Sequence, residues 1–109
     1  MGKHILVVLS NAADGKDDAF NSWYTNQHLH DVLKIPGYTA AQRFKLSEAQ
    51  LGPNAVPYQY LAIYEVEADE LAAAGKALTG TEMYIDPALD RDRTVAWFYS
   101  PITERVEGD

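Results

Sequence analysis

The sequence predicts an α+β domain of order β-α-β-β-α-β, a four-stranded antiparallel sheet with two helices on one face. Three observations carry this. Runs rich in Val, Ile, Tyr and Phe fall at residues 4–10, 38–46, 58–66 and 93–102. Two stretches between them, 17–34 and 69–78, have the composition and spacing of helices. Clusters of Gly, Pro, Asn and Asp separate the elements. The 109 residues make one domain, 1–109, and a domain of this size buries roughly two-thirds of its unfolded surface.

Residues 4–10 (HILVVLS) form a continuous apolar run, as expected of a strand buried on both faces. Its apolar part, Ile5 to Leu9, is too short for a signal-peptide core or a membrane span, so it reads as the first strand of a cytoplasmic protein. Asp17 or Asp18 can cap the first helix, whose apolar side is Phe20, Trp23, Tyr24, Val32 and Ile35. Pro36 ends it, because a proline disfavours the helical conformation in the residue before it, and Gly37 frees the turn. In the second strand Tyr38, Ala40, Gln42 and Phe44 alternate with Thr39, Ala41, Arg43 and Lys45. Residues 47–57 form a loop with Gly52, Pro53, Asn54 and Pro57. In the third strand Tyr58, Tyr60, Ala62, Tyr64 and Val66 share a face. An Ala-rich helix follows, then a polar, irregular stretch over 81–92, then the last strand, where Val95, Trp97 and Tyr99 oppose Ala96 and Phe98. Two helices cover one sheet face only, yet strands one, three and four are apolar on both. A homodimer is the simplest cover for the second face.

Charge and composition exclude whole classes of partner. A net charge of −7 argues against a nucleic-acid backbone and an anionic membrane surface, both of which need a basic face. The absence of cysteine removes disulfides, thiolate metal sites and cysteine nucleophiles. No Gly-rich phosphate loop or serine nucleophile motif is present. His28 and His30 point to different sides of a helix and cannot share one ion, so no metal site is expected. A single histidine is enough to hold a haem, but Tyr24 and Asp31 beside His28 fit proton transfer better, and no cofactor is expected.

The signature Trp23-Tyr24, His28-Leu29, Asp31, the turn Ile35-Pro36-Gly37-Tyr38, and Arg43-Phe44 resembles the dimeric α+β barrel superfamily, within it the EthD-like group. Residues 60–65 (YLAIYE) stand where that group has its third strand. The resemblance implies a ferredoxin-like fold, two sheets closing into a barrel across a dimer, and a pocket between helices and sheet. It implies chemistry more loosely: cofactor-free cyclases, muconolactone-type isomerases, small monooxygenases and haem-handling enzymes share the fold. Asn26 and Gln27 stand where related sequences carry acidic residues, and His30 where a proline is common.

The candidate site centres on the first helix. Trp23, Tyr24, His28 and Asp31 occupy one broad side of it, a side that ends in an imidazole and a carboxylate rather than in Leu or Val. His28 is either a general acid/base or a structural histidine bonded to a carbonyl or carboxylate. Asp31 can orient its ring, or be a solvated helix residue, or pair with Arg43. Tyr24 can donate to a substrate oxygen or simply pack; Arg43 can clamp a carboxylate or join a surface pair. Trp23, Tyr60, Tyr64 and Trp97 are the candidate walls for an aromatic ligand, with a tyrosine-rich dimer interface as the alternative. The expectation is a cofactor-independent lyase, cyclase or isomerase acting on an aromatic or polyketide-like carbonyl or carboxylic acid. Its alternatives are a cofactor-free monooxygenase of an electron-rich aromatic and a non-catalytic ligand-binding protein.

Overall fold

Period-two alternation along the central strands decides which way the sheet faces. The computed structural model describes residues 2–109. Its strands are β1 (Gly2–Ser10), β2 (Tyr38–Lys45), β3 (Tyr60–Ala68) and β4 (Val95–Tyr99), ordered β2-β3-β1-β4 with every neighbour antiparallel. The first helical stretch runs through α1 (Asp17–Trp23), a π turn (Tyr24–His28) and α2 (Leu29–Leu33); α3 (Leu71–Gly80) is the second. This is the ferredoxin-like α+β fold. Leu6, Ser10, Tyr60, Ala62, Tyr64 and Val66 turn to the helices and are buried. The ladder sets Leu6 between Tyr64 and Phe98, and Val8 between Ala62 and Ala96, so three strands share one packed face.

The β2 face assignment needs correction. Strict alternation groups Tyr38 with Ala40, but the register slips between them, a bulge that absorbs one extra residue. Tyr38 therefore joins Ala41 and Arg43 on the helix face, opposite Val66, Tyr64 and Ala62. The bulge is what turns Arg43 toward the first helix. Other boundaries move by about two residues: β1 begins at Gly2, β3 spans Tyr60–Ala68, α3 spans Leu71–Gly80, and β4 is shortened to Val95–Tyr99. Tyr58 therefore lies outside the strand.

Phe20 anchors the first helix. It is fully buried, with its ring centroid 6.2 Å from Trp23, 5.6 Å from Tyr24 and 5.0 Å from Tyr60. Burying such a side chain stabilises by about 1.5–3 kcal/mol. The helix closes with tighter bonds, Lys34 N–H to Asp31 O and Ile35 N–H to Val32 O. Gly37 then takes φ +96°, and a Cβ there would meet Glu67 O at 2.9 Å, so only glycine fits the turn. The Glu67 amide donates to Gly37 O at 2.7 Å, and Tyr38 Oη donates to Ala74 O of α3 at 2.8 Å.

Asn11, at the end of β1, ties two long connections together. Its buried side chain donates to Pro57 O at 2.9 Å and accepts from the Gln59 amide at 3.1 Å, while its own carbonyl accepts from Asp90 N–H at 3.0 Å. The 81–92 stretch is irregular, as expected, but not merely polar. Met83, Ile85, Ala88 and Leu89 pack on the core, and Leu89 bridges to Ala12. No helix among the described residues is long and apolar enough to cross a membrane. On the far side of the sheet, Trp97 (57% exposed), Tyr99 and Phe44 lie open.

Candidate functional site

The π turn is what assembles the site. In a regular α-helix, residues five apart point about 140° from each other. Here Leu29 N–H reaches back five residues to Tyr24 O, and the widened turn returns His28 over Trp23. The Trp23 and His28 rings stack with centroids 4.6 Å apart, and Tyr24 meets His28 edge-on at 4.8 Å. Single π turns of this kind are rare and occur frequently at functional sites.

Behind these rings lies a cavity of about 120 Å³ between the helices and the sheet. Tyr24, His28 and Val32 enter it from the first helical stretch, and Tyr64 from β3. Leu6, Val8 and Ala96 form its sheet floor; Leu78, Leu89 and Thr94 close it from α3 and the stretch before β4. Drug-sized ligands occupy roughly 300–1,000 Å³. A cavity of about 150 Å³ takes a benzene ring, so this one matches a single ring or a comparably small molecule.

The electrostatics are those of a cavity lined by no charged side chain. Burial holds the His28 imidazole down at about 4, with the Asp31 carboxylate opposing, so the ring is neutral at pH 7. Its Nδ1 is buried without a hydrogen-bond partner among the protein's groups, as is Trp23 Nε1. Buried polar atoms are nearly always paired, so two orphans on stacked neighbouring rings mark an unusual place. Tyr64 Oη donates to Tyr24 Oη at 3.1 Å. Burial raises both phenols above their ordinary range, and both stay protonated. Thr94 spends its hydroxyl hydrogen on Asp90 O at 2.7 Å, which leaves the Tyr24 hydrogen unspent.

The structure brings Tyr24, His28 and Tyr64 to one cavity, with Trp23 stacked behind, and places the other expected residues elsewhere. Asp31 sits near enough to act on the charge of His28 but makes no hydrogen bond to the ring; its salt bridge is to Lys34 at 3.7 Å. The expected orienting bond is absent. Arg43 donates to Thr25 Oγ1 at 2.8 Å and Asn21 Oδ1 at 2.9 Å, and its guanidinium lies 4.7 Å from the Tyr24 ring centroid. It braces the aromatic cluster and does not line the cavity, so it is not placed to clamp a substrate carboxylate there. Tyr60 donates to Asp17 Oδ2 at 2.6 Å and likewise anchors the helix. Trp97 pairs with Val7 on the opposite sheet face and cannot wall this cavity. His30 is exposed, and no group of three His, Asp or Glu among the described residues could hold a metal ion.

Thr94 and Leu89 complete the walls without having been singled out in the sequence. The apolar residues Met83, Ile85, Ala88 and Leu89 within a polar stretch were the available signal. A larger concavity, about 770 Å³, opens on the other sheet face over Ile5, Ile63 and Tyr99. None of its ionisable side chains is buried, and its His4–Ser100 hydrogen bond of 2.7 Å is exposed. Perturbed chemistry belongs to the smaller cavity.

No protein-family model and no curated protein matches the sequence. Solved structures do. An EthD-like protein from Ralstonia eutropha JMP134 is 19% identical, with 96% of each chain covered and a TM-score of 0.54. A dimeric ferredoxin-like protein from Thermobifida fusca YX is 13% identical, with 92% of each chain covered and a TM-score of 0.54. The chain has the fold of the dimeric α+β barrel group. A variant of MhuD with two manganese protoporphyrin IX molecules bound per active site is 13% identical, covering 96% of this chain and 99% of its own, with a TM-score of 0.62. Likeness at these identities is likeness of fold.

Proposed function

We propose that this protein is a small-molecule enzyme in which His28 shuttles a proton within this cavity while Tyr24 holds the substrate oxygen. One observation carries the reading: a half-buried, neutral imidazole lines the same cavity as a hydrogen-bonded tyrosine pair and stands edge-on to Tyr24. The substrate carbonyl accepts the free Tyr24 hydrogen. His28 takes a proton from the adjacent carbon, leaving an enolate whose negative oxygen is held by Tyr24. Tyr64 feeds its hydrogen bond into Tyr24, which strengthens the donor that meets the developing charge. The imidazolium so formed is a strong acid because of its burial and returns the proton to the same carbon or, where a β,γ double bond makes the intermediate a dienolate, to the γ carbon. Atoms and charges balance with no other reagent, which suits an isomerase, or a lyase or cyclase step begun by the same enolate.

A porphyrin does not fit this frame. The MhuD variant holds two manganese protoporphyrins per active site, but the cavity at His28 measures about 120 Å³. A second reading, a non-catalytic binder, draws on the absence of any hydrogen bond orienting the His28 ring. Proton exchange separates the two. Small ketones incubated with the protein in deuterated water are expected to gain deuterium beside the carbonyl, and His28→Gln is expected to lose that activity at least a hundredfold. Binding without exchange in both proteins would leave the binder. Oxygen uptake linked to turnover would instead favour the cofactor-free monooxygenase.

The working unit under this reading is a homodimer formed through the open sheet face. The chain exposes 7879 Å², where a folded monomer of 12.1 kDa exposes about 6,000 Å². A standard interface hides roughly 800 Å² per partner. Trp97, Tyr99, Ile102 and Val106 are among the exposed apolar side chains that a second copy would cover. Light scattering that gives the mass of a single chain at micromolar concentration would refute the dimer.

A further inference from the structure

Resting on the proton-shuttle reading of the same site, we infer that the cavity selects an uncharged, single-ring-sized carbonyl compound and rejects the corresponding carboxylate. No side chain that carries a formal charge at pH 7 lines the cavity. Leu6, Val32, Leu78 and Leu89 are among its walls, and its polar groups are two phenols, one hydroxyl and one imidazole. The inventory of free hydrogen-bonding capacity is shorter still. Tyr64 gives its hydrogen to Tyr24, and Thr94 gives its hydrogen to Asp90 O. Tyr24 Oη–H is left unspent, and the neutral His28 imidazole, which makes no hydrogen bond within the protein, adds one N–H and one bare nitrogen. That set matches a molecule with a carbonyl acceptor and one acidic hydrogen.

A carboxylate meets the opposite reception. Burying an anion costs several kcal/mol unless a cation and further hydrogen bonds repay it. Arg43 is the cation nearest the aromatic cluster, and it is committed to Thr25 and Asn21 outside the cavity. The Asp31 carboxylate is near enough to act on the charge of His28 and adds no positive charge there. Burial of His28 keeps it neutral, so it cannot serve as the missing cation. The volume of about 120 Å³ sets the size limit at one ring. This narrows the carbonyl-or-acid, aromatic-or-polyketide expectation to its neutral and compact part.

The test compares cyclohexanone with cyclohexanecarboxylate at pH 7.5, following the ring signals of His28 and Tyr24 by NMR in the wild-type protein. The ketone is expected to bind at least tenfold more tightly than the acid and to shift both residues. Leu78→Trp, which fills the cavity from α3, is expected to abolish that shift; Thr94→Lys, which adds a cation at the wall, is expected to narrow or invert the preference. Equal or tighter binding of the acid by the wild type overturns the inference, whatever the variants do. Shifts confined to the open sheet face, or no binding of either compound at millimolar concentration, overturn it as well. A preserved preference for the ketone with no deuterium exchange would sink the proton shuttle and leave the selectivity standing.

Discussion

The two faces of the sheet are made by the same strands, one residue out of phase, and they behave as different materials. On the helix face Leu6, Ala62, Tyr64 and Val66 are buried and almost every polar atom is spoken for. On the other face Ile5, Val7, Ile63 and Trp97 are comparably apolar in type, yet Trp97 and Tyr99 remain more than half exposed. The difference lies in covering rather than composition. Helices exclude water from one face, and exclusion is what converts a histidine and two tyrosines into a site with displaced proton affinities. Apolar residues alone give a surface that seeks a partner.

That contrast can be broken in several ways, the most costly first. Phe20→Ala removes the fully buried ring on which the first helix rests and is expected to cost about 3–5 kcal/mol, read by urea unfolding. A loss below 1 kcal/mol would mean that the helix face is loosely packed. Acid is the next lever. His28 prefers to be neutral in the folded chain, with its pKa lowered from 6.5 to about 4, so its stabilisation is complete above 6.5 and lost as pH falls toward 4. The loss is about 3 kcal/mol for one such group. It should be missing from the pH profile of His28→Gln; an identical profile in that variant would place the acid sensitivity elsewhere.

The open face should respond differently. Trp97→Asp is expected to leave intrachain stability within about 0.5 kcal/mol, since the side chain faces solvent, while weakening self-association by thirtyfold or more. Destabilisation of a chain that is already monomeric would contradict the assignment of that face. The smallest effect expected is that of Tyr64→Phe. It deletes one hydroxyl and its bond to Tyr24 for about 1 kcal/mol, and it should slow deuterium exchange several-fold while sparing ligand binding. Unchanged exchange would remove Tyr64 from the proton-transfer machinery.

How much of this was legible in the sequence depends on what each feature answers to. Alternation in β3 revealed its faces directly, because burial follows side-chain type; β1 reads as an unbroken apolar run expected to be buried on both faces, yet only Leu6 and Ser10 of it are buried. His28 and Asp31 were legible as an imidazole and a carboxylate on an otherwise apolar helix side, and Tyr24 and Tyr64 only as candidate substrate contacts. Trp97 falls opposite Phe98 by alternation, but alternation cannot say which side the helices take, and the structure sets Trp97 on the face away from the His28 cavity. The π turn and the β2 bulge are each a matter of one extra residue in a hydrogen-bond ladder, to which side-chain periodicity is nearly blind. Those two irregularities decide that His28 stacks on Trp23 and that Arg43 lies over Tyr24. Thr94 and Leu89 reach the cavity through contacts distant in sequence, which no local pattern carries.

The most direct measurement is the titration of His28 by NMR of the ¹⁵N-labelled imidazole in the intact protein. A neutral ring through pH 7, protonating near pH 4, is the expected result for a desolvated imidazole in an uncharged cavity. An ordinary midpoint near 6.5, or one raised above it by a hydrogen bond to Asp31, would contradict it and return His28 to the role of a solvated or structural histidine.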